Sequence, residues 1–238
     1  MKYLLLSLIT LLLSTSISAQ SNKRTIKLSG SINDSYAIIM TLTIQGEDVL
    51  GYYYYDKYKS KILLEGNIQG DRLVLNESPD YESDYEVGFI GELNGKTYAG
   101  VWKDKSKNKE LDFNTLVYSD ISANQAAHIS ELEGRFENIF NSDKFLASVS
   151  LYHIEDKIFC FEISNGTESG CTGYLKGLVE LSDSGIGVYT GDGCEELRFS
   201  LSNNELKLIE NNCDYHGLNC PFEGTYKKKE QITTGLKQ

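Results

Sequence analysis

Apolar and polar side chains alternate with period two at several places along this 238-residue chain, and that alternation limits the fold more than any other feature. In Ala37 to Ile44, one face carries Ile38, Met40, Leu42 and Ile44, and the other carries Ala37, Ile39, Thr41 and Thr43. Phe159, Phe161 and Ile163 form a second row, and Leu197, Phe199 and Leu201 a third. Successive side chains of a strand point to opposite faces, so each row reads as a strand with one face in a core. Turn signals stand between the rows: Gly46-Glu47-Asp48, Gln69-Gly70-Asp71, Asn94-Gly95, Asn165-Gly166 and Asn203-Asn204. Asn-Gly suits the left-handed angles of a tight hairpin turn, whose twist matches the flanking strands. Only two prolines and as many as 16 tyrosines favour the same class. The expectation is an all-β protein of antiparallel meanders, curled into small barrels or folded into sandwiches.

One stretch departs from the pattern. Residues 119–133 hold Ala123, Asn124, Gln125, Ala126 and Ala127 with few β-branched residues, and read as a linker with one or two helical turns. The chain therefore divides into an N-terminal β-module at 20–118, the linker, a C-terminal module at 134–228 and a flexible tail at 229–238, each module of ordinary domain size. The two halves share a loose grammar: Gly30-Ser31-Ile32 and Gly134-Arg135-Phe136 open them, and Gly100-Val101-Trp102 and Gly224-Thr225-Tyr226 come late in each.

Residues 1–19 have the order of a secretion signal: Met1-Lys2, an apolar run from Tyr3 to Leu13, then small residues ending at Ala19. The run is shorter than the roughly 20 apolar residues of a membrane span, no cysteine follows it to carry a lipid, and no later stretch is long enough to span. The expected location is periplasmic or extracellular. Asn76-Glu77-Ser78 and Asn165-Gly166-Thr167 match the glycan acceptor pattern. A net charge of -11 argues against nucleic acid as a partner, because backbone binding needs clustered Lys and Arg. It suits a basic envelope or host protein, which an acidic surface would steer.

All five cysteines, Cys160, Cys171, Cys194, Cys213 and Cys220, lie in the second module. An oxidising compartment then implies one or two disulfides and a thiol left over. A two-residue turn at Asn203-Asn204 opposes Leu201 with Leu206, Phe199 with Leu208, and Cys194 with Cys213. The same treatment of Asn165-Gly166 opposes Cys160 with Cys171. Opposed Cα atoms about 5.5 Å apart are within disulfide reach. The arithmetic favours Cys194–Cys213 first and Cys160–Cys171 second, leaving Cys220 as the thiol, with Cys213–Cys220 as the competing bridge. Zinc is disfavoured, since no Cys-x-x-Cys is present and His216 is the only histidine among these cysteines.

Tyr52 to Tyr55 run consecutively, so Tyr52 and Tyr54 share one strand face and Tyr53 and Tyr55 the other. Tyr52 and Tyr54 are taken as an aromatic platform for a glycan or a protein, against the plainer reading of tyrosines that fill and decorate a barrel strand. Catalytic signals are weak. None of His128, His153 and His216 stands in a nucleophile motif, and no zinc-protease or phosphate-loop pattern occurs. Asp80, Glu82, Asp84 and Glu86 read as a solvated acidic loop rather than a calcium site. No catalytic residue, metal or cofactor is assigned. The alternative to binding is a carbohydrate-active hydrolase that uses Asp or Glu carboxylates on a sheet face.

The second module runs from Cys171-Thr172-Gly173-Tyr174 through Cys194-Glu195-Glu196-Leu197-Arg198-Phe199 and Cys213 to Phe222-Glu223-Gly224-Thr225-Tyr226. It resembles the small disulfide-bearing β-barrels of bacterial secreted proteins, including those grouped with periplasmic lysozyme inhibitors, over less than half of the chain. The resemblance implies a non-enzymatic binding protein, and in its sharper form an inhibitor of an envelope-directed hydrolase such as lysozyme. In the inhibitors of vertebrate-type lysozyme, a His on a disulfide-held loop enters the enzyme cleft. Asp214-Tyr215-His216-Gly217-Leu218-Asn219 between Cys213 and Cys220 is similar in kind but longer. Tyr215 and His216 are therefore the expected contact residues.

Overall fold

A computed structural model of the protein describes residues 23–77, 87–122, 132–191, 193–202 and 204–230. Among these it contains strands and turns but no helix. The signal segment, the acidic residues 78–86 and the proposed helical turns at 123–131 lie outside the described residues.

Strands β1 (Arg24–Ile32), β2 (Tyr36–Gln45), β3 (Asp48–Tyr55), β4 (Ile62–Gln69), β5 (Arg72–Glu77), β6 (Val87–Asn94), β7 (Thr97–Asp104) and β8 (Lys109–Ser122) form a closed antiparallel barrel in chain order. Each strand pairs with its sequence neighbour, and β1 closes the ring on β8, from Arg24 opposite Ser122 to Ile32 opposite Phe113. Gly46 and Gly95 occupy the turns after β2 and β6 at φ 66° and 59°, which only a residue without Cβ adopts freely. Ile38, Met40, Leu42 and Ile44 all point into the barrel, as their alternation requires. Tyr53, Phe89, Tyr98 and Phe113 fill it with edge-to-face rings 4.7–5.1 Å apart.

The second module contains β9 (Gly134–Asn138), β10 (Phe145–Glu155), β11 (Ile158–Thr167), β12 (Thr172–Glu180), β13 (Ile186–Gly191), β14 (Cys194–Ser202), β15 (Glu205–Cys213) and β16 (Gly224–Glu230). Its order is β12-β11-β10-β9-β16-β15-β14-β13. First and last strands pair here too, so both modules wind in the same way, but the second sheet stays open between β12 and β13. Phe136, Phe159, Phe161, Leu197, Phe199 and Tyr226 make its core.

Three boundaries shift from the sequence reading. Residues 119–122 belong to β8 rather than to a linker, because Arg24 to Lys27 need them as pairing partners. Residues 229–230 extend β16 rather than begin the tail, with Glu230 opposite Arg135. Asn165-Gly166 is not a turn: β11 continues to Thr167, and Asn165 faces Gly173 of β12. That register sets Cys160 opposite Leu178, so the expected Cys160–Cys171 bridge does not form. Cys171 bonds Cys220 instead, and Cys160 is a buried thiol. Cys194 and Cys213 face each other and are bonded, as the hairpin arithmetic requires.

The modules pack sheet against sheet. Leu50, Tyr52 and Leu63 on the outside of the first barrel meet Ile154 and Cys160 of the second. At the centre lies Glu155, 8% exposed. It accepts hydrogen bonds from Thr41 Oγ1 (2.9 Å) and Tyr52 Oη, and its other oxygen pairs with Lys27. Thr43 Oγ1 donates to the Ile154 carbonyl at 2.8 Å. Lys176–Glu65 (2.6 Å) and Lys23–Glu133 (2.9 Å) add two further ion pairs across the boundary.

Candidate functional site

The β1–β2, β3–β4 and β7–β8 turns gather at one end of the first barrel. That mouth opens into a cavity of about 610 Å³. The interior of an eight-stranded barrel is just wide enough for side chains to fill or for one small ligand, and here side chains fill the middle while the cavity lies at this end. Tyr36, Tyr55, Tyr58 and Trp102 line the cavity, with Lys57 and Lys109 among the lining cations. The Tyr36 and Tyr55 rings stand nearly perpendicular, 6.4 Å apart, and Tyr55 in turn meets the edge of Tyr53 at 5.5 Å. Lys57 lies 5.2 Å over Tyr58, and Lys109 lies 5.9 Å over Tyr36.

Beside these rings Glu77 ends β5. Its Oε1 accepts hydrogen bonds from Tyr53 Oη (2.6 Å) and from Trp102 Nε1 (2.8 Å). Burial pushes the Glu77 carboxyl above its ordinary range, against the pull of those two donors. Burial also raises the Tyr53 and Tyr55 phenols, so both are hydroxyl donors at neutral pH. Asp104 is committed elsewhere: Lys107 Nζ and Ser106 Oγ each lie 2.7 Å from it and hold it down at about 2. The mouth thus offers ring faces, a half-buried acceptor and exposed cations.

Tyr52 and Tyr54 sit elsewhere. They point out of the barrel, and Tyr52 is 4% exposed beneath the second module with its hydroxyl on Glu155. Of the opposite pair, Tyr55 lines the mouth, and Tyr53 fills the barrel core with its hydroxyl on Glu77. The consecutive tyrosines make sense because β3 is buried on both faces, by its own core and by the neighbouring module. Glu77 gave no signal in the sequence, since its partner Trp102 is distant in the chain and only the β5–β6–β7 pairing joins them.

The loop 214–219 is tied at both ends, by Cys213–Cys194 and Cys220–Cys171. Gly217 N–H donates to Thr172 O at 3.1 Å, and Tyr174 N–H to Tyr215 O at 3.1 Å. His216 turns inward: its Nδ1 is 2.9 Å from Gly217 O, its Nε2 is 2.9 Å from Glu210, and its ring packs on Phe222. Tyr215 is 37% exposed, whereas Leu218 is fully exposed at the apex. Asn165, a glycan-acceptor candidate, is buried and donates to the Cys220 carbonyl at 2.5 Å.

The described residues contain no group of three metal-ligating side chains, and no helix among them is long and apolar enough to cross a membrane. No family model, curated protein or solved structure matches the chain.

Proposed function

We propose that this is a non-enzymatic binding protein of the periplasm or extracellular space, and that the mouth of its first barrel takes a small glycan or similar hydroxyl-rich ligand. The observation that carries the reading is the ring-lined mouth beside the Glu77 acceptor. Aromatic faces pack against the C–H face of a sugar ring, and a carboxylate accepts from its hydroxyls. Two disulfides fit an oxidising compartment.

Trp102 is the chain's only tryptophan, so its fluorescence reports on this site alone. Titration with a panel of soluble oligosaccharides is expected to shift or quench the emission saturably for at least one member. Tyr36→Ala and Tyr58→Ala should weaken that response without altering the fold. A flat response across the panel overturns the reading, and turnover of a bound glycan would favour the hydrolase alternative.

The loop 214–219 supports a second reading, inhibition of an envelope-directed hydrolase such as lysozyme, because two disulfides preorganise it and leave Leu218 fully exposed. Inhibition lost on Leu218→Ala with Tyr215→Ala would support this role. No inhibition of any lysozyme class at micromolar protein would remove it.

A further inference from the structure

The second module is wound like the first, yet one ladder is missing. The corresponding fourth and fifth strands of the first barrel, β4 and β5, pair from Leu64 opposite Glu77 to Gln69 opposite Arg72. Their counterparts β12 and β13 end the second sheet instead. Near their connection they still touch, through Ser182 N–H donating to Ile186 O at 2.8 Å. Beyond it they flank a groove of about 500 Å³. The ring of Tyr189 closes its floor, packed on Phe161 at 5.0 Å and so close to Gly177 that a Cβ there would lie 2.7 Å from it.

The groove walls are main-chain edges. In an antiparallel strand the N–H and C=O of one residue point to the same side, and successive residues alternate. Tyr174 N–H points away from β11 to Tyr215 O, so Lys176 and Leu178 direct their main-chain groups into the groove. Ile186 O faces Ser182, so Val188 does the same from β13. The chain already uses this edge once: residues 215–217 lie along the start of β12, bonded through Tyr174 and Thr172, with a bridge between Gly173 and His216. The edge accepts an added strand there and stays uncovered farther on.

We propose that this seam binds an extended acidic peptide segment of a partner protein as an added β-strand alongside β12. Exposed sheet edges recognise peptides in this way, with main-chain hydrogen bonds supplying affinity and flanking side chains supplying selection. Charge selects the acidic class. Lys59, Lys61 and Lys176 line the groove against Glu180 alone, on a chain whose net charge is -11. Lys176 is held by Glu65 and Glu162, whereas Lys59 makes only a solvent-exposed pair with Asp56, so Lys61 and Lys59, both exposed on the first module, can meet the peptide's carboxylates. The groove shares no lining residue with the barrel mouth, although Lys59 and Lys61 follow the mouth residues Lys57 and Tyr58 on the β3–β4 connection.

The test is selection from a displayed library of random peptides of about six residues, the usual strand length, followed by anisotropy with labelled winners. Selected peptides should be enriched in Asp and Glu. On binding, the amides of Lys176, Leu178 and Val188 should exchange with solvent at least tenfold more slowly. Lys59→Glu with Lys61→Glu should weaken binding at least tenfold. Val188→Pro removes a groove-facing N–H while sparing the β14 ladder, and should do likewise; the lysine variant decides the matter if the proline variant does not fold. Neutral or basic winners, protection confined to other strands, or unchanged affinity after charge reversal would each overturn the proposal.

Discussion

Replacing Glu155 by alanine should loosen the joint between the modules more than any other single change. The carboxylate satisfies Thr41, Tyr52 and Lys27 together, and all three belong to the first module. Truncation leaves a buried hydroxyl, a buried phenol and a lysine that is 27% exposed without their acceptor. Hydrogen bonds to charged groups contribute about 1.5–3 kcal/mol each, and breaking a buried ion pair from one side costs about 3–5 kcal/mol. Because Lys27 can turn toward solvent and the hydroxyls can recruit water, the total should be about 3–5 kcal/mol rather than the full sum. Glu155→Gln keeps an acceptor for Thr41 and Tyr52 and loses only the ionic part, about 1–2 kcal/mol. Urea unfolding followed by circular dichroism measures both. With a slope near 2 kcal/mol/M, the alanine midpoint should fall by roughly 2 M, and the transition should broaden or split as the modules uncouple. Burial alone would raise the Glu155 carboxyl, but Lys27, Tyr52 and Thr41 outweigh it and hold it below the ordinary 4.5. The group's stabilisation is therefore full above about pH 4.5 and is lost as pH falls through the lowered value, a dependence that the alanine variant should lack. A midpoint drop under about 0.5 M for Glu155→Ala would refute the claim that this contact joins the modules.

Three further outcomes follow from the geometry. Glu77 is raised by burial, so Trp102 emission should titrate with a midpoint above 4.5, and the stability linked to Glu77 should be full below 4.5 and lost as pH rises through the raised value; Glu77→Gln should abolish the fluorescence step, and a midpoint at or below 4.5 would contradict the assigned burial. Removing the Cys171–Cys220 bridge should cost about 4 kcal/mol and removing Cys194–Cys213 about 3 kcal/mol by loop-closure entropy, since they span 49 and 19 residues; the reverse order in urea melts of the paired serine variants would overturn this ranking. Cys160 is fully buried and its thiol pushed up by burial, so a thiol reagent should find nothing in native protein and one group after unfolding without reductant; a fast native reaction would show the joint to be open.

The strands were legible because burial of one face imposes a periodicity that sequence displays directly. Leu197, Phe199 and Leu201 face Leu208 and Leu206 in the register that the Asn203-Asn204 spacing implied. The same logic failed at Asn165-Gly166, where the asparagine side chain serves to clamp the Cys220 and Pro221 carbonyls rather than to turn the chain. One misplaced turn shifted the register of β11 on β12 and so the disulfide. The joint was hidden for another reason. Thr41 and Thr43 look like solvent-facing residues of an amphipathic strand, and only a second sheet laid over them shows that they are buried. The mouth was half visible: the tyrosine run pointed to β3, but which face meets solvent depends on where the other module sits. Glu77 and Trp102 meet only through pairings across three strands, which no local pattern encodes.

The place of β16 has a consequence for how the protein is made. A chain synthesised from its N terminus has all eight strands of the first barrel once Ser122 has emerged, each beside the one before it. In the second module β9 must wait about 90 residues for β16, the strand that joins it to β15. Until then the module is two half-sheets, β12-β11-β10-β9 and β15-β14-β13, with bare edges at β9 and β15. Such edges pair readily with other chains, so the interval before β16 arrives is when a chaperone would have most to protect. A stop codon just after Phe222 would not fray the fold at its rim; it would remove Tyr226 from the core and leave both halves permanently open down the middle.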